Sequence, residues 1–214
     1  MKKNILTVAV FFFALTAYPQ NSGEAKAILD RAFAAFEASA GIKLSFKSAT
    51  VDKDGTEYET QSGEAIIKGN RFKIQTDAAD IWFDGETQWI LIKEVNEVNI
   101  INPTGQELAS ISPLALLGMY RNGYKLKAPV SKTVNGKKVN QIDMVPVTGN
   151  NDFKAVSVAV DMASNNIVQI ILTMGNGMKN RIEISECNSN YKFIDSEFRF
   201  DKNKHPGVEI VDLR

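Results

Sequence analysis

Of 214 residues, one is a cysteine, Cys187, and one a histidine, His205. A lone cysteine excludes an intramolecular disulfide, so the fold must rest on its core, which a chain of this length can supply. Cys187 is expected to serve as a small buried hydrophobe. His205 stands beside Pro206-Gly207 with no second histidine at metal-ligand spacing, which leaves any zinc site to scattered carboxylates. The sequence has no Gly-x-Ser-x-Gly elbow, no phosphate-cradling glycine loop and no dinucleotide fingerprint. An excess of charge is missing too: 25 basic residues balance 25 acidic ones, whereas a nucleic-acid binder shows a clustered basic surplus. Carboxylate pairs such as Glu94/Glu97 and Glu183/Glu186 fall at strand ends, where solvated surface is their ordinary role. These absences argue against an enzyme, call for no cofactor or metal, and point toward binding.

The first twenty residues carry a basic start, Met1-Lys2-Lys3, an apolar run over residues 5–16 and a cleavage zone at Thr16-Ala17-Tyr18-Pro19-Gln20. That is the pattern of a signal peptide, and the run is too short to span a bilayer. Cleavage removes Lys2 and Lys3 and brings the net charge to −2. No cysteine lies near the cleavage zone to accept a lipid anchor. The expectation is a soluble exported protein with one domain over residues 21–214.

Residues 24–39 place Ala25, Ile28, Leu29, Ala32, Phe33 and Phe36 at three- and four-residue steps, which predicts an amphipathic helix with Ser22 as N-cap. From Ile42 the period changes to two, with Leu44 and Phe46 alternating against Lys43 and Ser45. Strands are expected over residues 42–51, 56–68 (with Gly63 at a bulge or kink) and 71–76, then as three runs from Ala79 that turn at Asp84-Gly85 and Lys93-Glu94, the last over 95–101. The last three form a meander around Asp84-Gly85, which holds both tryptophans, Trp82 and Trp89. Ser112-Pro113 starts a second, nearly all-apolar helix through Tyr120, too short to stand without tertiary support. Further strands follow over 124–130, 137–147, 153–161, 167–174, 178–187, 191–200 and 208–211. The turns between them are rich in Gly and Asn, which accept φ > 0. About twelve strands in meander order make an antiparallel sheet that tends to curl, with the helices covering its concave side.

Apolar side chains are in excess. Ile81-Trp82-Phe83, Trp89-Ile90-Leu91-Ile92 and Ile170-Ile171-Leu172 are apolar on both faces, whereas a strand with one wet face alternates. Either both faces pack against protein or one surrounds a hydrophobic cavity. Met119, Met144, Met162, Met174 and Met178 suit a cavity that re-packs around a flexible ligand.

Ser62-Gly63-Glu64-Ala65-Ile66-Ile67-Lys68, Asn70-Arg71-Phe72-Lys73-Ile74, the Asp84-Gly85-Glu86-Thr87-Gln88-Trp89 hairpin, Asn102-Pro103 and Ser112-Pro113-Leu114 together resemble the outer-membrane lipoprotein carrier family, LolA. The resemblance implies a mainly β fold with an α lid: an incomplete antiparallel β-barrel of about 11 strands around a hydrophobic cavity. It also implies a monomeric periplasmic carrier. Such a carrier takes the acyl chains of lipoproteins released by an inner-membrane ABC transporter and passes them to an outer-membrane acceptor. The alternatives are a LolA-like envelope sensor that reads lipid or lipoprotein as a signal, and a carrier of another hydrophobic ligand.

The candidate acyl-contacting residues are Phe72, Ile74, Trp82, Trp89 and Leu91 on strands, and Phe33, Phe36, Leu114, Leu117 and Met119 on helices. Which strand face looks inward is open, because a one-residue change of register reverses it. Many members of the family carry an arginine directly after the lysine that ends the 63–68 strand, where it latches the lid to helix carbonyls. Here that position is Gly69, so Arg71 is either a displaced latch or a solvated charge.

Overall fold

A computed structural model describes residues 21–104, 107, 118–148 and 153–214. The expected signal peptide and most of the expected second helix, with Leu114 and Leu117, lie outside them. The N-terminal helix α1 spans Asn21–Ala38, so Ser22 sits inside the helix and is not its N-cap. Two runs of strands follow. The first is β1 (Ile42–Val51), β2 (Glu57–Lys68), β3 (Arg71–Thr76), β4 (Ala79–Phe83), β5 (Gln88–Ile92) and β6 (Glu97–Ile101). The second is β7 (Tyr124–Leu126), β8 (Val130–Val134), β9 (Lys137–Pro146), β10 (Phe153–Asp161), β11 (Ile167–Met174) and β12 (Lys179–Asn188). A last strand, β13 (Glu209–Asp212), closes the chain.

The thirteen strands among the described residues belong to one open sheet, in the order β13-β6-β5-β4-β3-β2-β1-β12-β11-β10-β9-β7, with β8 also paired to β9. The sheet is therefore two antiparallel meanders, β1 to β6 and β7 to β12, joined where β1 pairs with β12. The single meander expected from sequence misses this seam, because consecutive strands alone cannot reveal it.

Three expected elements differ, each for a local reason. The single strand over 124–130 is two, β7 and β8, which pair with opposite ends of β9 on either side of Pro129, a residue with no N–H to give a ladder. Residues 191–200 do not form a strand. Their aromatics pack one-sidedly, and the Glu197 carboxylate accepts from Ile194 N at 3.0 Å to fix a 3-10 turn at Asp195–Phe198. Gly63 is no bulge: the irregularity lies between Ser48 and Thr50, near Glu59 at φ +50°. Gly63 instead lies under the Phe46 ring, where an added Cβ would come within 2.7 Å of Phe46 Cζ and 2.5 Å of Gln75 O.

The Asp84-Gly85 hairpin is as expected. Gly85 takes φ +107°, and Asp84 Oδ1 accepts from the backbone N–H groups of Glu86 and Thr87 at 3.1 and 3.0 Å. From β12 the chain runs over one face of β3 to β6 as a strap, residues 191–208, before β13 adds to β6 in parallel. Phe198 in the strap is fully buried. Arg71 holds the strap. Its guanidinium lies 4.8 Å from the Phe198 ring centre and 5.4 Å from that of Phe193, and pairs with Asp195 at 2.8 Å.

The opposite face carries α1. Ala25, Ile28, Leu29, Ala32 and Phe33 are buried against Ile142, Met144, Val156, Val158 and Val160 of β9 and β10. Ile28, Leu29 and Phe33 each contribute about 1.5–3 kcal/mol by this burial. No helix among the described residues is long and apolar enough to cross a membrane.

Replacing Gly63 with alanine is expected to cost about 1–3 kcal/mol, the usual penalty of overpacking. Urea unfolding measures it, and a variant as stable as the parent contradicts the packing of Phe46 over Gly63.

Candidate functional site

Strand alternation decides which side chains share the α1 face. The register pairs Ile42 with Ile67, Leu44 with Ala65, Phe46 with Gly63 and Ser48 with Gln61. The same face continues through Ile184 and Ile182 on β12, across from Phe46 and Ser48. It reaches Ile170 and Leu172 on β11 in one direction and Ile74 and Ile81 in the other.

Because α1 covers β9 and β10, the α1 face of the neighbouring strands is left uncovered by it. There the side chains line a trough of about 440 Å³: Leu44, Phe46, Ala65, Ile67, Ile74, Ala79, Ile81, Ile170, Leu172, Ile182 and Ile184, with Ser48, Gln61, Thr76 and Asn180. Strands from β4 to β11 in sheet order contribute, so the sheet bends around the trough. A narrower recess of about 80 Å³ continues it beneath α1, adding Ala32, Ala35, Phe36, Ile42 and Ile167. Among the lining residues of both parts, none carries a formal charge. The volume lies within the roughly 300–1,000 Å³ of small-molecule sites. An uncharged, largely apolar trough can hold a hydrocarbon chain.

The sequence-expected residues divide between the two faces. Ile74 lines the trough and Phe36 the recess. Phe72 is on the same face but buried against Phe83 and Ile67, and Phe33 is buried beneath α1. Met119 packs at the edge of that core. Trp82, Trp89 and Leu91 lie on the opposite face, packed with Val98, Val208 and Phe200. Trp82 stands directly across from Trp89, and the His205 ring lies edge-on to it at 5.6 Å and stacks on Phe200 at 5.1 Å. His205 is thus an aromatic filler under the strap. Cys187 is exposed at the recess and not buried as expected. Its thiol is nonetheless pushed up by loss of hydration, which keeps it in the unreactive protonated form.

The side chains that position α1 include one that the sequence marks only as the neighbour of the expected latch position. Lys68, at the end of β2, donates from Nζ to the Ser39 carbonyl just beyond α1, at 2.6 Å. It makes a contact of the kind sought for Arg71, whose guanidinium faces the strap instead. Along the middle of α1, Tyr120 donates to Asp30 Oδ1 at 2.6 Å, and the Arg121 guanidinium lies 3.8 Å from the Phe33 ring centre. Hydrogen bonds from Lys26 and Tyr120 hold the Asp30 carboxyl below its ordinary pKa, while burial and the Asp30 contact raise the Tyr120 phenol. Ile182 and Ile184 were also missed, although they alternate with Arg181 and Glu183. That alternation was legible, but their partner strand was not.

No curated protein matches the chain. Among solved structures, an uncharacterized conserved protein from Thermus thermophilus is similar at a TM-score of 0.58 and 10% identity, covering 88% of this chain and 99% of that one. LprF from Mycobacterium bovis is similar at a TM-score of 0.48 and 10% identity, covering 81% and 97%. A LolA superfamily protein from Nitrosomonas europaea is similar at 0.45 and 13%, covering 83% and 98%. At such identities the first likeness speaks for the fold alone, and the two lower scores carry no argument. The family described as outer membrane lipoprotein carrier protein LolA matches residues 15–176. With about three quarters of its length matched, the chain belongs to the LolA family of outer membrane lipoprotein carriers.

Proposed function

We propose that this protein is a periplasmic carrier that holds lipoprotein acyl chains in the trough beside α1 and ferries them between the inner and outer membranes. The observation that supports this reading best is the uncharged lining of the trough across six strands. Exposing a 16-carbon chain to water costs on the order of 12 kcal/mol at about 0.8 kcal/mol per CH₂. A lipoprotein with two or three chains therefore needs a shielded site to cross an aqueous compartment. Loading draws on an inner-membrane ABC transporter, and unloading on an outer-membrane acceptor. The carrier itself needs no catalytic group, only an apolar site with a cover that moves. The trough candidates are Leu44, Phe46, Ile67, Ile74, Ile170, Ile182 and Ile184, with Phe36 at the recess.

Three results are expected. The purified protein releases newly made lipoprotein from spheroplasts and carries it in solution; failure of a folded preparation to do so contradicts the carrier role. Ile182→Asp places a charge on the trough wall and lowers affinity for an acylated peptide more than tenfold, since burying a charge in an apolar site is costly. Calorimetric titration measures this, with circular dichroism as the control for folding. Finally, a brominated acyl chain bound in the trough quenches tryptophan fluorescence little, because Trp82 and Trp89 lie across the sheet. Strong contact quenching contradicts the assignment of the trough.

A further inference from the structure

The trough is not uniform along its length. At the end beneath α1 its wall is mainly Phe36, Ile42, Leu44, Ile67, Ile170 and Ile184, together with Asn166, Cys187 and Ser189. At the opposite end stand Ser48, Gln61, Thr76 and Asn180. The register sets this order along β1 and β2. Ile42 pairs with Ile67 at one end of β1, and Ser48 pairs with Gln61 toward the other. Asn180 stands across from Thr50, one strand over on the same end. Thr76 is engaged in its own turn, donating to Ala79 O and accepting from Ala79 N. The side chains of Ser48, Gln61 and Asn180 have no hydrogen-bond partner among the described residues.

Resting on the reading of the trough as an acyl-chain site, we infer that the ligand enters tail-first toward α1 and that Ser48, Gln61 and Asn180 select an uncharged, hydrogen-bonding head such as an amide or ester. The three groups supply both donors and acceptors: an ester accepts from the donors, and an amide both accepts and donates. A carboxylate is poorly served. The lining itself offers it no cation: Lys93, whose Nζ donates to the Thr76 carbonyl at 2.5 Å, is already paired with Asp80 at 2.8 Å, and Glu59, whose Oε2 accepts from Thr50 Oγ1 at 3.3 Å across from Asn180, is repulsive. Bringing an ionised head there without a counter-charge carries a desolvation cost that an amide avoids. The site thus discriminates chains already joined to a carrier molecule from free fatty acids of equal length.

Calorimetric titration of the purified protein with N-methyldodecanamide and with dodecanoate at pH 8 tests this, because the chains match and only the head differs. The amide is expected to bind at least tenfold more tightly. Asn180→Lys, and separately Gln61→Lys, each introduce a cation at the polar end and are expected to raise dodecanoate affinity at least tenfold. Asn180 is exposed, so its variant is expected to melt as the parent does. Equal affinity for the two ligands, or tighter binding of dodecanoate by the parent, overturns head selection and leaves the acyl-chain reading standing. No gain for dodecanoate in either folded lysine variant overturns the placement of the head at this end. Binding of neither ligand overturns both readings.

Discussion

The pairing of β1 with β12 is the constraint on which the rest of the molecule depends. Each meander alone has an apolar face with too little to cover it. Joined along nine paired positions from Lys43 to Val51, the two faces become continuous. The helix then meets β9 and β10 while β12, β1, β2 and β3 extend past its reach. The trough follows from that mismatch in width. α1 alone cannot cover a sheet of this many strands, and the part beyond it keeps apolar side chains on the same face. β1 takes part in both halves, since Leu44 and Phe46 sit at the centre of the trough and Ile42 at the recess.

The two faces are finished differently. On the side away from α1, the strap covers Trp82 and Trp89 with Phe200, His205 and Val208, and Arg71 secures it through two aromatic rings and Asp195. That side packs its aromatics, and the recesses that remain between strap and sheet, of about 450 and 360 Å³, are lined mostly by polar and charged side chains. On the α1 side the helix is buried over β9 and β10 through Ile28, Leu29 and Phe33, and polar ties from Lys68 to Ser39 and from Tyr120 to Asp30 add to that burial. Such ties contribute about 0.5–1.5 kcal/mol for a typical hydrogen bond and about 1.5–3 for one to a charged group. The wide apolar trough lies beside this helix, on the same face.

Most of the architecture was legible in the sequence. Period-two alternation and the Gly- and Asn-rich turns located nearly every strand, and the three- and four-residue spacing located α1. The face assignment was not legible for the tryptophan hairpin. Ile81-Trp82-Phe83 is apolar on both sides because both sides are covered, one by the strap and the other by the trough-facing core. A strand buried twice gives no alternation to read, and the size of the tryptophans drew the candidate list toward the strap face. The strap itself mimics a strand, since Tyr191, Phe193, Phe198 and Phe200 pack one-sidedly without a ladder. Nor could the sequence foresee that Ile182 and Ile184 lie opposite Ser48 and Phe46, because strands more than 120 residues apart leave no local signal of their pairing.

The central claim is that one face of this sheet, between β4 and β11, takes the apolar ligand. A palmitoylated peptide bearing a diazirine near the chain terminus tests it most directly, by photo-crosslinking followed by residue-level mass spectrometry. The account predicts adducts on Phe36, Leu44, Ile67, Ile170 or Ile184. Adducts concentrated on Trp82, Trp89, Leu91 or the strap at residues 191–208 would contradict it.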